Sequence, residues 1–438
     1  MRRRPNILFL CTLLALICFL LSILPGCGKA KVDQSGTEEP WQGVITLWDF
    51  PRWPDKSGSR FGWIEGKIKE FEKDNPGVFI HLRRLKWDFG HIELRAAAAA
   101  GTAPDIAPVG ADYDFISGGF LEPVDEYFSP EELAKLEPRA VEAVKYNERI
   151  YGFPWFMTTY GLFVNKEVFE AKDVAIPENG QWTYEEFVSA LQKVTSDGKN
   201  KRYGFNLFLS PGNYQGWGFL TMDGARLFDE YGNFALNSPE GVSALTKLAD
   251  LATKYQVVPS AEFGNLEENK VWSDFCEKQK IAVYPAGPWA IKVLRDRQKS
   301  GQGFEFDILH YPKGSKDPAA FSQVAAYGIF KQHDERKKAM CAKFLKFITS
   351  EDEQVSLSEY GVFPVYVQAL EKVAEDPMMK RMKEILDNAE NLPKVKNWHR
   401  VDEELTAQIR LALLSKKTAA EALEDAEKNI RAILAGTN

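Results

Sequence analysis

Val44-Ile45-Thr46-Leu47-Trp48 and Val78-Phe79-Ile80-His81-Leu82, with the residues between them, decide the fold class. Both runs are rich in β-branched and aromatic residues, which predicts strands. Between them Phe61, Ile64, Ile68 and Phe71 recur at the spacing of one helix face. Asn75-Pro76-Gly77 stops that helix, because proline lacks the N–H and glycine tolerates backbone that other residues avoid. Strand, helix and strand within about 40 residues make a βαβ unit, whose crossover favours parallel pairing.

The alternation continues along the chain. The alanine-rich residues 92–100 read as a helix closed by Gly101-Thr102-Ala103-Pro104, and Asp105-Ile106-Ala107 as a short strand leading into the loop Gly110-Ala111-Asp112. Residues 161–165 read as a strand. Thr183 and Glu186 have capping-box spacing ahead of a helix whose buried face is Phe187, Leu191 and Val194. Residues 203–209 read as a strand, followed by a loop rich in glycine and aromatics over 210–217. Ser238-Pro239-Glu240 opens another helix. Residues 304–308 and 323–330 read as strands. Three helices follow: one over 335–349, one opened by a Ser350/Glu353 capping box, and one opened by Thr418/Glu421 with Leu423, Ala426, Ile430, Ile433 and Leu434 on one face. An α/β series of 438 residues is too long for one core and predicts two domains.

Ile281-Ala282-Val283-Tyr284-Pro285-Ala286-Gly287-Pro288-Trp289-Ala290 stands apart. It begins as an uncharged strand. Two prolines and a glycine then break the ladder and deliver Trp289 to the start of a helix. A flat ring on a rigid turn suits ligand stacking, and it equally suits packing at the rim of a core.

Net charge is −7, with no dense basic run beyond the first residues, which argues against nucleic acid as the partner. Arg2, Arg3 and Arg4 precede an uncharged apolar run over 7–24 and then Leu24-Pro25-Gly26-Cys27. This is the layout of a secretory signal, an uncleaved membrane anchor being the alternative. Polar residues 29–40 read as a tether. Cys341 falls in an amphipathic pattern with Met340, Phe344, Phe347 and Ile348 and reads as a core residue, not as a partner for Cys276. The five histidines and the cysteines lack metal-ligand spacing, and no phosphate loop, nucleophile elbow or zincin motif occurs. No cofactor is expected. Among 62 acidic residues nothing singles out a glycosidase pair.

The leader resembles that of a bacterial lipoprotein, with Leu24, Gly26 and Cys27 in the pattern and Pro25 departing from it. The mature chain resembles the extracellular solute-binding proteins of ABC importers, in the maltose-binding-protein-like branch. The likeness rests on seven segments in order: Ile45-Thr46-Leu47-Trp48 with Lys69-Glu70-Phe71-Glu72-Lys73-Asp74; Gly101-Thr102-Ala103-Pro104-Asp105-Ile106; Tyr151-Gly152-Phe153-Pro154; Gly161-Leu162-Phe163-Val164-Asn165-Lys166; Gly287-Pro288-Trp289-Ala290; Tyr360-Gly361-Val362-Phe363-Pro364-Val365; and residues 418–427. Val164 departs from the family's usual tyrosine.

The resemblance implies a two-lobe α/β fold of the periplasmic-binding-protein type II, each lobe a mainly parallel sheet flanked by helices. Residues 1–26 would be the signal and 27–42 the tether. Lobe one would be 43–157 with 305–350, and lobe two 158–304 with 351–438, hinged near 157–160 and 322–325. It implies a non-catalytic monomer, lipid-anchored through Cys27 outside the cytoplasm, which binds a mono- or oligosaccharide between the lobes and delivers it to ABC permease subunits. Sugars offer polarised C–H faces for aromatic rings and hydroxyls for charged or amide groups. Trp289 matches the segment that supplies a stacking tryptophan, and Trp48 and Asp112 also carry over. Asp49, Trp155, Tyr214 and Trp217 lie at similar loop ends. The alternatives are a sensor lipoprotein using the same fold, or a surface enzyme acting on glycans; the lack of a selected acid–base pair weighs against the enzyme.

Overall fold

The chain builds two large sheets, beside a small hairpin of Lys145–Tyr146 and Arg149–Ile150, and runs between the large sheets at three junctions. The computed structural model describes residues 40–54, 57–87, 89–110, 112–198, 201–260, 263–264 and 267–436. The leader, Cys27 and most of the tether lie outside the described residues. Among the described residues no helix is long and apolar enough to cross a membrane.

The strands of the two large sheets are β1 (Gly43–Asp49), β2 (Val78–Arg84), β3 (Ile106–Pro108), β4 (Phe153–Thr158), β5 (Gly161–Asn165), β6 (Tyr203–Phe205), β7 (Ile281–Ala286), β8 (Phe306–Leu309), β9 (Phe321–Ile329), β10 (Phe363–Pro364) and β11 (Glu390–Asn391). The first sheet runs β10–β4–β9–β3–β1–β2, with β11 on the early end of β9, and the second runs β8–β5–β7–β6. The βαβ unit pairs in parallel as expected, Ile45 opposite Ile80, and β3 joins β1 in parallel.

The α/β class holds, but the sheets are mixed and not mainly parallel. β9 is antiparallel to β3 and β4, β10 is antiparallel to β4, and β5 is antiparallel to both β7 and β8. The reason is the crossings. β4 ends at Thr158 and β5 begins at Gly161, so a strand that enters from the other lobe takes the direction of its arrival. No helical crossover turns it round.

Each sheet packs its own helices. Ile45 and Leu47 face the helices Gly62–Asp74 and Glu335–Ile348, whose Ile64, Ile68, Phe71, Phe344 and Leu345 complete the first core. In the second lobe the Thr183/Glu186 and Thr418/Glu421 capping boxes both form. The Ser350/Glu353 box does not: Ser350 makes no side-chain cap bond, and Glu353 instead takes Lys67 Nζ at 2.5 Å. Cys276 and Cys341 are buried, unpaired thiols.

Three expected boundaries differ. β8 pairs with β5 in the second sheet, so the return to the first sheet starts at Phe321 and not at residue 305. The loop after β8 is also bound to the second lobe: Tyr311 Oη donates to Gln215 O, and Lys313 N to Trp182 O. Residues 351–364 stay with the first lobe, because Phe363 pairs with Met157. The strand read over 203–209 stops at Phe205, where the Asn206 side chain and Gln215 take the next amides, Leu207 N and Phe208 N.

Candidate ligand cleft

The carboxyl ends of parallel strands leave their carbonyls and following loops free, and ligands of open α/β sheets gather there. In the first lobe those ends carry 49–52, 85–87, 109–110 and 112. In the second they carry 206–209 and 287–289. The start of β5 pairs with the end of β7, Gly161 opposite Ala286. The exit of β4 and the exit of β7 therefore meet at the crossing, residues 158–160. Thr159 is buried, and its hydroxyl donates to Phe321 O at 3.0 Å, tying the first junction to the second.

Trp289 begins the helix Trp289–Lys299 at this meeting point and is half-buried. Its ring stands edge-on to Trp272 at 4.7 Å. The Gly361 backbone lies directly against it: a Cβ there would fall 2.5 Å from Trp289 Cα and 2.5 Å from Pro288 O, and Gly361 has φ +76°. Glycine is required on both counts. Gly361→Ala is expected to cost about 2 kcal/mol of stability and to push the Tyr360 loop away from Trp289. A thermal melt matching wild type would show that the loop yields freely.

The first-lobe wall is built on Asp49, which is 2% exposed. Its carboxylate accepts from Phe50 N at 2.8 Å and from Tyr327 Oη at 3.0 Å, and it pairs with Arg52. Burial, with the Asp49 charge adding to it, pushes the Tyr327 hydroxyl well up, so it stays a donor. The Arg52 guanidinium lies 5.2 Å from the Trp155 ring. Trp155 is buried among Trp53, Trp63, Phe156 and Tyr327.

Trp48 lies on the opposite face of β1 from Asp49, as strand alternation requires. It packs with the satellite core of Leu94, Ala98 and Phe115, and the Arg83 guanidinium sits 4.1 Å over its ring. Asp112 caps the short helix Tyr113–Ser117 through Asp114 N and pairs with Arg95 at 3.2 Å. Burial raises the Asp112 carboxyl, with Arg95 opposing. Asp114 reaches the second lobe: it accepts from Asn397 N at 2.7 Å and faces His399 Nδ1 at 3.3 Å. Burial works against its charge, but the His399 and Asn397 hydrogen bonds hold its carboxyl below the ordinary range.

Tyr214 and Trp217 are each 3% exposed. Trp217 packs edge-on to Phe321 at 4.4 Å, and Trp398 Nε1 donates to Tyr214 Oη at 3.1 Å. They form a knot behind the second junction. Of the expected residues, Trp289, Asp49 and Asp112 come to the cleft ends of the sheets, Trp155 lies under that wall, Trp48 faces away from Asp49, and Tyr214 and Trp217 are packed inside. Arg52, Trp87 and Tyr360 stand at the same ends and were not expected. The rule that picks Trp48, an aromatic at the carboxyl end of a parallel strand, also picks Trp87.

The model of the bacterial extracellular solute-binding protein family matches residues 67–384. The chain belongs to that family. The maltotriose-binding protein of Pyrococcus abyssi is 26% identical over 317 residues, 69% of this chain and 64% of that protein, so the match spans just under two thirds of the relative's length. The galactooligosaccharide-binding protein of Bacillus subtilis is 23% identical, covering 84% of this chain and 82% of its own. Among solved structures, an ABC transporter solute-binding protein from Thermotoga lettingae bound with α-D-tagatose superposes with a TM-score of 0.76 at 25% identity, over 89% of this chain and 99% of that one. An ABC substrate-binding protein from Listeria monocytogenes in complex with cycloalternan gives 0.75 at 22%, over 90% and 99%. The solute-binding family explains why the two sheets share one interrupted chain: crossing strands are what a hinged pair of lobes is made from.

Proposed function

We propose that this solute-binding protein takes a carbohydrate in the cleft between its two lobes and delivers it to the membrane subunits of an ABC importer. It acts as a monomer held outside the cytoplasm by lipid on Cys27. The observation that carries the reading is the half-buried indole of Trp289, whose backbone abuts Gly361 and whose ring meets Trp272 where the lobes meet. The relatives' sugar ligands support it. In this reading Trp289 takes the C–H face of a sugar ring, and Asp112 with Arg95 receives hydroxyls. Asp49 acts indirectly by aiming Arg52. Trp155, Tyr214 and Trp217 stiffen the walls, and Trp48 holds Arg83. Closure around the ligand presents a surface to the permease, and the protein itself makes or breaks no bond.

A ligand that binds only the folded state raises the melting temperature, by an amount equivalent to about 3 kcal/mol at a hundredfold excess over Kd. A melting screen against mono- and oligosaccharides is expected to give a clear rise with at least one sugar and no turnover of that sugar. A flat response across the panel would count against a carbohydrate ligand, and turnover would count against a pure receptor.

A further inference from the structure

The helix Trp398–Leu413 starts without a cap of its own. Asn397 precedes it with φ +57° and makes no side-chain cap bond. A helix leaves its first N–H groups without partners inside the helix, and a side-chain oxygen of the preceding residue is the usual remedy. Here the oxygen comes from the other lobe. Asp114 Oδ1 accepts from Asn397 N at 2.7 Å, and Asp114 Oδ2 faces His399 Nδ1 at 3.3 Å. One carboxylate thus meets the N–H just before the helix and a side chain of its first turn, where the helix dipole also favours a negative group.

The two ends of this bridge belong to different lobes. Asp114 lies in the short helix Tyr113–Ser117, which follows the carboxyl end of β3. Phe115 and Ile116 anchor that helix in the satellite core of the first lobe. Val401, Leu405 and Ile409 of the long helix are buried in the second core with Leu423 and Ala426. Trp398, its first residue, joins Tyr214 and Trp217, which lie beyond the carboxyl end of β6. Both ends of the bridge therefore stand on the sides of their sheets from which the cleft loops rise.

Other bonds between the lobes lie at the junctions. Thr159 donates to Phe321 O where the first crossing meets the second, and Asn391 Nδ2 donates to Arg139 O at 3.1 Å beside the third. Contacts at a hinge change little as lobes swing, whereas contacts off it are made or broken. β3 does not cross between the sheets, so the Asp114 bridge is of the second kind. It is also shut by protein groups alone. Arg95 stands farther off, 4.0 Å from Asp114 against 3.2 Å from Asp112.

We propose that Asp114 is an interlobe latch: it caps a second-lobe helix from the first lobe, so that a protein–protein bridge holds the lobes together before any ligand arrives. The latch acts whatever ligand the cleft takes. The test uses the protein without ligand. Small-angle X-ray scattering reads the separation of the lobes, and hydrogen exchange at residues 397–399 reads the cap. Asp114→Ala is expected to enlarge the radius of gyration and to speed exchange of those amides about fivefold, the effect of losing one N-cap. Asp114→Asn keeps an acceptor without the charge and should fall between. His399→Ala, made in the other lobe, should move both readouts in the same direction, and adding it to Asp114→Ala should change little further, because the two groups act through one contact. An unchanged radius of gyration in Asp114→Ala overturns the latch even where exchange speeds up, since faster exchange alone reports a cap within a rigid body. Additive shifts from the two substitutions overturn it as well. Asp114→Ala leaves the Asp112 cap of its own helix in place. If it nevertheless melts early, His399→Ala decides: an enlarged radius of gyration supports the latch and an unchanged one overturns it.

Discussion

Trp289→Ala is expected to lower affinity for the bound sugar by at least about tenfold while the unliganded protein melts within a few degrees of wild type. The two outcomes separate because the side chain is only half-buried, packed at the edge of the second core. Its ring makes one edge-on contact, with Trp272, and an aromatic pair of this kind is worth about 1 kcal/mol. The backbone contact with Gly361 involves Cα and survives the change. Truncation therefore leaves the β7 exit in place and removes mainly the exposed face. In the proposed bound state the same face would be desolvated against a sugar ring, where a central aromatic carries a large share of the binding energy. Trp289→Phe should recover part of the affinity. Titration calorimetry and a melt of the same samples give both numbers, and unchanged affinity would reject the stacking role.

Much of the fold was legible because it is local. The Thr183/Glu186 and Thr418/Glu421 boxes formed as spaced, since both partners lie within one turn. Ser350/Glu353 has the same spacing and failed, because Lys67 on another helix claimed Glu353. Strand existence was readable from β-branched runs. Strand partnership was not: nothing in Phe306-Asp307-Ile308 says that it will lie beside Phe163 and not beside β9. The site was less legible for the same reason. Trp48 and Asp49 are neighbours at one strand end, and alternation sends them to opposite faces, but the sequence does not say which face meets the other lobe. Tyr214 and Trp217 sit in a loop that looks open until Phe321 and Trp398, both more than 100 residues later, close over them.

The knot that buries Tyr214 carries a second expected result. Stability should fall as pH rises from about 4 to about 7, and Asp402→Asn should remove that part of the fall. Asp402 is 2% exposed, and burial pushes its carboxyl from 3.8 up to about 7. It accepts from Gly212 N at 2.6 Å, with the Thr406 hydroxyl at 3.5 Å. The sign follows from where the proton sits. Below 3.8 both folded and unfolded chains hold it, and the acid is buried neutral. Between the two values only the folded chain holds it, so each pH unit costs about 1.4 kcal/mol of stability, of order 4 kcal/mol across the window. Above about 7 both have lost it, and this contribution is flat. Asparagine keeps an acceptor for Gly212 N and never ionises. The difference in melting temperature, Asn variant minus wild type, should therefore grow from pH 4 to pH 7 and then level off, other groups cancelling between the two proteins. A difference that stays constant with pH would mean that Asp402 is ionised and accommodated throughout. The loop at stake runs from Gly212, whose carbonyl accepts from Gln323 at the second junction at 3.5 Å, to Tyr214. Loss of the Asp402 proton therefore loosens the second lobe at the junction where it adjoins the first.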